Sequence, residues 1–154
     1  MSQSQPPVTD LYDPKTFDPR TGIGRLIGLV RAELSDALDR ELAPFDITAA
    51  QYVILVRLAS GEVDSASGLC KGVAYDPGAM TRMIDRLERK KLVLRTRSPN
   101  DRRKVMLQMT DAGREIYPRL VEKAAGAMNV LMRGFTKAEV LQLEGLLQRI
   151  LMNT

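Results

Sequence analysis

Apolar side chains recur with a helical period between Asp76 and Arg89. Four of them follow at positions i, i+3, i+4 and i+7, which places them on one helix face: Met80, Met83, Ile84 and Leu87. Asp76 is suited to cap the start of this helix, and Pro77 to occupy its first position. Lys90 and Lys91 follow at the other end, where cations complement the negative helix terminus. The pattern predicts an amphipathic helix.

The period changes from helical to alternating directly after this helix. Residues 92–97 and 105–110 alternate between apolar and polar side chains, as strands with one buried face do. The connecting residues 98–104 contain Pro, Asn and Asp, which favour turns. The sequence therefore predicts a β-hairpin next to an amphipathic helix, which is the arrangement of a winged helix.

A long helix is predicted near the start of the chain. Asp18 followed by Pro19 is a start signal, and Pro44 is a stop signal. The apolar residues between them keep helical spacing: Leu26, Ile27, Val30, Leu34, Ala37, Leu38 and Leu42. Residues 1–17 hold three prolines and lack a helical period, so they are predicted to form a flexible arm.

Two shorter helices are predicted before the amphipathic one. Thr48 and Gln51 have the spacing of a capping box, and Gly61 ends the helix that this box begins. Its predicted inward-facing residues are Tyr52, Leu55, Val56 and Ala59. A further short helix is predicted over residues 65–73. Its predicted core contacts are Leu69 and Val73.

Two helices are predicted after the hairpin. Thr110 can cap the first, Pro118 should kink it, and Gly134 should close it. Thr136 and Glu139 form a second capping-box signature at the start of the last helix. That helix carries one apolar stripe: Leu143, Leu146, Leu147, Ile150 and Leu151.

Positive charge is concentrated in the amphipathic helix and the hairpin. Residues 76–104 contain ten Lys/Arg and four Asp/Glu, a balance of +6, whereas the whole chain carries +4. A solvated helix face is the alternative for this helix taken alone. The local excess of cations favours a polyanion-binding surface instead.

Composition limits the other functions. The chain has 154 residues, 44% of them hydrophobic, which suits one folded domain. It lacks an apolar run of membrane-spanning length and a signal-peptide pattern, so we expect a cytoplasmic protein. With no histidine, no glycine-rich phosphate loop and no placed carboxylate pair, neither an enzyme nor a metal or cofactor site is expected. Cys70 is the only cysteine, and a small buried residue is favoured over a redox switch.

Three segments resemble a known family. DPGAMTRMIDRLERKKLV, followed by DRRKVMLQMT, resembles the recognition helix and wing of the MarR family of bacterial transcription regulators, and DITAAQYVIL resembles the start of its DNA-binding domain. The resemblance implies a mainly α fold with a small β wing. A winged helix-turn-helix unit would occupy 46–110, flanked by dimerisation helices at 18–45 and 111–154.

The resemblance and the charge pattern together imply a DNA-binding surface. Its candidate residues are Asp76, Pro77, Gly78, Ala79, Thr81, Arg82, Arg86, Arg89, Arg95, Arg97, Asp101, Arg102, Arg103 and Lys104. Arg82 and Arg86 are the best candidates for base or phosphate contacts. Arg103 matches the family's minor-groove arginine and Asp101 the carboxylate that orients it. A surface salt bridge that stabilises the turn is an alternative for this pair, and it is compatible with the first role.

The outer helices imply a homodimer. Their apolar stripes lie outside the compact winged-helix unit, so a two-fold dimer that reads a palindromic operator in double-stranded DNA is favoured over a monomer with a helical cap. The resemblance also implies a repressor released by a small aromatic carboxylate or phenolic effector. Its candidate contacts are Arg25, Arg31, Tyr52 and Arg95, although ordinary surface arginines and a core tyrosine would explain the same residues. The second hypothesis is a winged-helix protein-interaction or architectural module with only non-specific DNA affinity.

Overall fold

The computed structural model describes residues 11–61, 63–70, 76–97 and 105–153. The chain divides into two compact units, Met1–Glu33 and Leu34–Thr154. The described elements are α1 (Ile23–Leu42), a 3-10 helix (Ala43–Phe45), α2 (Ala49–Ala59), α3 (Ala66–Cys70), α4 (Pro77–Arg89), β1 (Val93–Arg97), β2 (Val105–Met109), α5 (Asp111–Leu131) and α6 (Lys137–Leu151). This order confirms the predicted mainly α fold with a small β wing.

Helix α1 begins later than predicted. The carboxylate of Asp18 accepts hydrogen bonds from the backbone N–H of Arg20 at 2.9 Å and from the guanidinium Nε of Arg20 at 3.0 Å. The predicted helix start at Asp18 and Pro19 was therefore wrong, because Asp18 closes a turn that precedes the helix. The predicted end is confirmed, since α1 stops at Leu42 and Pro44 lies in the 3-10 helix that follows.

Helix α2 begins with the predicted capping box. The Thr48 hydroxyl oxygen accepts from the Gln51 N–H, and the Gln51 side-chain oxygen accepts from the Thr48 N–H, both at 3.2 Å. Gln51 is buried. The inward face is only partly as predicted: Leu55 is buried, but so is Ile54, whereas Ala59 is exposed. The prediction for Ala59 was wrong, because in the last turn of α2 it is Leu58 that packs against the core and Ala59 lies beside it on the exposed side.

The core forms where α4 meets the hairpin. The predicted inward residues Met80, Ile84 and Leu87 are fully buried, and Met83 packs against the same core. Strands β1 and β2 pair antiparallel in the register Val93↔Met109 to Arg97↔Val105. On the other edge of β2, the Leu107 N–H donates to the carbonyl of Asp64 at 2.7 Å.

Helix α3 is short within the described residues. Leu69 is buried as predicted, and Cys70 packs against the core. The guanidinium of Arg57 donates to the Leu69 carbonyl at 2.8 Å, which ties α2 to the end of α3. Val73, the other predicted core contact, lies outside the described residues.

Helix α5 starts at the predicted cap and approaches the hairpin closely. The Thr110 hydroxyl accepts from the Gly113 N–H at 3.0 Å. A Cβ added at Gly113 would lie only 2.2 Å from the carbonyl oxygen of Leu92, so only glycine fits there without a shift. Pro118 lies inside the helix, and the kink expected there stays a prediction. The turn after α5 contains Gly134 with φ of +91°, a conformation that favours glycine.

Helix α6 leaves its apolar stripe exposed. Its predicted capping box is confirmed, since Glu139 N–H donates to the Thr136 hydroxyl and Thr136 N–H donates to the Glu139 carboxylate. None of the residues of α6 is buried. The predicted stripe of five residues, Leu143 to Leu151, is 38% to 71% exposed.

Candidate nucleic-acid interface

The N-terminal end of α4 is exposed to solvent and is capped by its own side chains. The Asp76 carboxylate accepts from the Ala79 N–H at 2.9 Å, and this hydrogen bond is the main reason that the pKa of Asp76 lies below its usual value. The hydroxyl of Thr81 donates to the Pro77 carbonyl at 2.9 Å. The predicted cap and first helical residue are confirmed. The positive end of the helix dipole lies at this exposed end of α4, where it favours an anion.

Gly78 leaves room for two charged side chains. A Cβ added there would lie 3.0 Å from a carboxylate oxygen of Asp76 and 3.5 Å from a guanidinium nitrogen of Arg82. The positive charge of Arg82 also contributes to the lowered pKa of Asp76. Arg82 therefore extends back over the first turn of α4, and its cation lies at the exposed end of the helix.

The basic residues farther along α4 form a second group. Arg86, Arg89 and Lys90 line a cavity of about 340 Å³ together with Asp46, Thr48 and Gln51. The Lys90 ammonium is 2.9 Å from the Asp46 carboxylate, which links the C-terminal end of α4 to the turn before α2. Arg86 is one turn from Arg82, but it shares this cavity with the start of α2. The predicted basic face is thus divided between the two ends of α4.

Arg95 makes two ion pairs with α4. One guanidinium nitrogen is 2.6 Å from the Asp85 carboxylate, and another donates to the Glu88 carboxylate. Burial disfavours the charged form of Arg95, but the hydrogen bonds and charges of the two carboxylates outweigh it and raise the pKa of Arg95. Sequence reasoning assigned Arg95 to a phosphate or an effector and missed this pairing. The acidic residues at 85 and 88, three positions apart, were the available signal.

The remaining DNA-binding candidates belong to the wing. We call the wing the hairpin of β1 and β2 with its connecting residues 98–104. Arg97 is exposed at the end of β1, opposite Val105. Four candidates lie outside the described residues: Asp101, Arg102, Arg103 and Lys104.

The effector candidates are distributed over both units. Arg25 and Arg31 are exposed residues of α1 within the first unit. Tyr52 is half-buried on α2 in the second unit, and burial, followed by the charge of Tyr117, raises its pKa. No contact within the described residues joins Tyr52 to Arg95, whose guanidinium binds the carboxylates of α4.

A larger cavity lies between α2, β2 and α5. It has a volume of about 540 Å³ and is lined mainly by apolar residues, with Arg114 and Tyr117 from α5. The guanidinium of Arg114 already donates to the Met109 carbonyl at 2.6 Å and to Asp111 at 2.7 Å. Sequence reasoning did not predict this cavity, because its walls come from three elements that are distant in the chain.

Neither metal-binding clusters nor membrane-spanning helices were found in the described ranges. Over those residues, groups of three or more Cys, Asp or Glu side chains with metal-binding geometry are absent. Of the helices described, none is by itself long and apolar enough to cross a membrane. Only Ile23–Phe45 and Ala49–Ala59 taken together, across a bend, reach that length and composition.

Comparison with known proteins identifies the family. A model of the MarR family matches residues 47–105. The multiple antibiotic resistance protein MarR of Escherichia coli strain K12 is 35% identical over 130 residues, which make up 84% of this chain and 90% of that protein. The chain belongs to the MarR family. The resemblance seen in the recognition-helix and wing segments is confirmed.

Solved MarR-family structures have the same fold. A mutant MarR from E. coli in complex with operator DNA has a TM-score of 0.76 and 34% identity, covering 88% of this chain and 99% of that one. CouR from Rhodococcus jostii, bound to p-coumaroyl-CoA, has a TM-score of 0.75 and 26% identity, covering 87% and 94%. The predicted winged helix-turn-helix fold is therefore confirmed, and the chain is a transcription regulator of the MarR family.

Proposed function

We propose that this MarR-family regulator is a cytoplasmic, homodimeric, sequence-specific repressor that binds a palindromic operator and needs no cofactor. The observation that carries the proposal is the exposed N-terminal end of α4, where Arg82 extends over a capped first turn. A helix of this kind enters the major groove with its N-terminal residues toward the base edges. The E. coli MarR in complex with operator DNA, which has the same fold, supports this use of α4.

The residues of the surface would divide their roles by position. Asp76 to Ala79, with Thr81 and Arg82, would face base edges and nearby phosphates, and an arginine bound to guanine contributes about 1–3 kcal/mol of discrimination. Arg97 and the basic residues 102–104 of the wing would bind phosphates or the minor groove, with Asp101 orienting Arg103. Arg86 and Arg89 would contribute through phosphates.

The exposed apolar side chains support a dimer. Within the described residues, large apolar side chains are exposed on three helices: Ile23, Leu26, Ile27, Leu29 and Val30 of α1, Val121, Met128 and Val130 of α5, and Leu141, Leu143, Leu146, Leu147, Ile150 and Leu151 of α6. An apolar surface of this extent marks an interaction site rather than a monomer's surface. In a two-fold dimer these helices would cover one another and hold two recognition helices one DNA turn, about 34 Å, apart.

A small aromatic carboxylate or phenolic effector would release the repressor from DNA. CouR, which shares the fold, was solved with p-coumaroyl-CoA, a phenolic acyl ligand. Tyr52, which is half-buried on α2, would contact the aromatic ring of such a ligand. The ligand needs only to prefer a dimer whose recognition helices mismatch the operator, and a preference of about 5.5 kcal/mol reverses an equilibrium from 99:1 to 1:99.

The proposal is tested by a gel shift on the DNA upstream of the protein's own gene. We expect a discrete complex that survives an excess of scrambled competitor duplex. One member of a panel of aromatic acids should dissociate this complex. Arg82→Ala should weaken binding about tenfold or more. The control Arg133→Ala, which removes an exposed cation from the turn after α5, should bind like the wild type. If scrambled duplex removes the complex as readily as the promoter does, the protein is a non-specific module instead.

A further inference from the structure

Two hydrogen bonds donated by Thr110 hold the base of the wing together just after the end of α4. The Thr110 N–H donates to the Leu92 carbonyl at 3.1 Å, and the Thr110 hydroxyl donates to the Lys91 carbonyl at 2.6 Å. These contacts fix where the hairpin starts. Farther along the hairpin, the Leu107 N–H donates to the Asp64 carbonyl at 2.7 Å, which holds the outer edge of β2.

Arg95 provides the ion pairs that hold β1 to α4. It lies in the middle of β1, opposite Leu107, two residues before Arg97. Its guanidinium joins two carboxylates on α4, Asp85 at 2.6 Å and Glu88. A planar guanidinium that binds two carboxylates at once has its orientation fixed in a way that a single ammonium contact does not.

The exposure of the three side chains agrees with a clamp rather than with a DNA contact. The Arg95 side chain is 30% exposed, less than Asp85 at 49% and Glu88 at 41%. Both carboxylates belong to a helix that would face phosphates, where unpaired negative charges weaken binding. Their presence is explained if they hold Arg95.

We propose that Arg95 is a positioning residue: through Asp85 and Glu88 it fixes the direction of the wing relative to α4 and does not itself contact DNA. This inference rests on the proposed DNA-binding function. It also gives Asp85 and Glu88 a role, since their carboxylates hold the Arg95 guanidinium in place.

The proposal and a simple charge argument predict opposite changes in operator affinity when Asp85 is neutralised. Asp85→Asn removes a negative charge from the DNA-facing helix while keeping the shape of the side chain. If Arg95 bound a phosphate, this change would free the guanidinium and leave operator affinity equal or higher. With Arg95 as a clamp, we expect Asp85→Asn and Glu88→Gln each to weaken operator binding about tenfold. The control Glu115→Gln, an exposed acid on α5, should leave affinity unchanged.

A double-mutant cycle on DNA affinity completes the test. Under the proposal, Asp85→Asn combined with Arg95→Gln should bind no more weakly than Arg95→Gln alone, and Arg95→Lys should recover part of the affinity. Additive losses in the double variant, or unchanged affinity of Asp85→Asn, would overturn the clamp.

Thermal unfolding of each variant identifies losses that come from unfolding. If Asp85→Asn is unfolded at the assay temperature, Glu88→Gln with the same cycle decides between the outcomes, because it removes the other carboxylate that binds Arg95. If the wild-type protein does not discriminate its operator from scrambled DNA, the proposed function fails instead.

Discussion

Gly113 lies where α5 crosses the carbonyl of Leu92, at the start of the hairpin. Its N–H is used by the Thr110 cap, and its α-carbon faces backbone atoms that cannot rotate away. Glycine has a low helix propensity, so no local sequence pattern accounts for a glycine in the first turn of α5. Glycine is required at position 113 because the backbone of α5 passes close to the backbone at Leu92, about twenty positions earlier in the chain.

We expect Gly113→Ala to destabilise the protein by about 1–3 kcal/mol, because the added methyl group overlaps the Leu92 carbonyl oxygen and forces α5 away from the hairpin. Urea unfolding at fixed protein concentration measures the change. Gly126→Ala is the matched control in the same helix, since no atom lies within 4 Å of the added Cβ. That variant should be more stable by about 0.5–1 kcal/mol, as alanine is in a helix interior. Equal effects at the two positions would contradict the proposed overlap.

At the scale of elements, the starts of the helices follow from short-range sequence signals. Thr48, Asp76, Thr110 and Thr136 each accept a hydrogen bond from an N–H three residues later, as predicted. The signal is reliable there because cap and helix lie within four residues of each other. It failed at Asp18, where the same side chain binds Arg20 in a turn. Local patterns therefore predict where helices can begin, and neighbouring side chains decide between a helix and a turn.

The cap of α4 gives stability a pH dependence. Because the pKa of Asp76 is lowered in the folded protein, its carboxylate stabilises the fold above the unfolded pKa of about 3.9, and this contribution is lost as pH falls through the folded pKa. An asparagine side chain at this position would cap without a charge, so we expect Asp76→Asn to melt below the wild type near neutral pH. The difference should disappear as the pH falls below the folded pKa. Melting curves of the two proteins over that range provide the measurement, and a pH-independent difference would contradict it.

At the scale of the whole molecule, α6 contributes no buried residue, although its stripe has the composition of a core. In a single chain this surface is exposed to water, so its apolar side chains do not contribute the favourable free energy of burial. The dimer proposed above would recover it.

Leu147→Glu should therefore weaken self-association by about 3 kcal/mol, roughly a hundredfold, because a carboxylate would be buried without a partner. Light scattering over a range of protein concentrations measures the association constant. Gln148→Glu, which adds the same charge beside the stripe, should leave association unchanged. Operator affinity should fall with the dimer fraction in the first variant only. A Leu147→Glu protein that stays dimeric would exclude α6 from the interface.

The helix order, the hairpin, four caps and the concentration of cations in α4 and the wing follow from the sequence alone. These features depend on residue period and on neighbours within a turn, so they can be read along the chain. Three other features depend on how the elements pack: Ile54 is buried and Ala59 exposed, Arg86 lines a cavity with the start of α2, and Arg95 binds two carboxylates of α4. Such contacts join residues from different elements, and the packing of those elements, which no local pattern encodes, sets the distances between them.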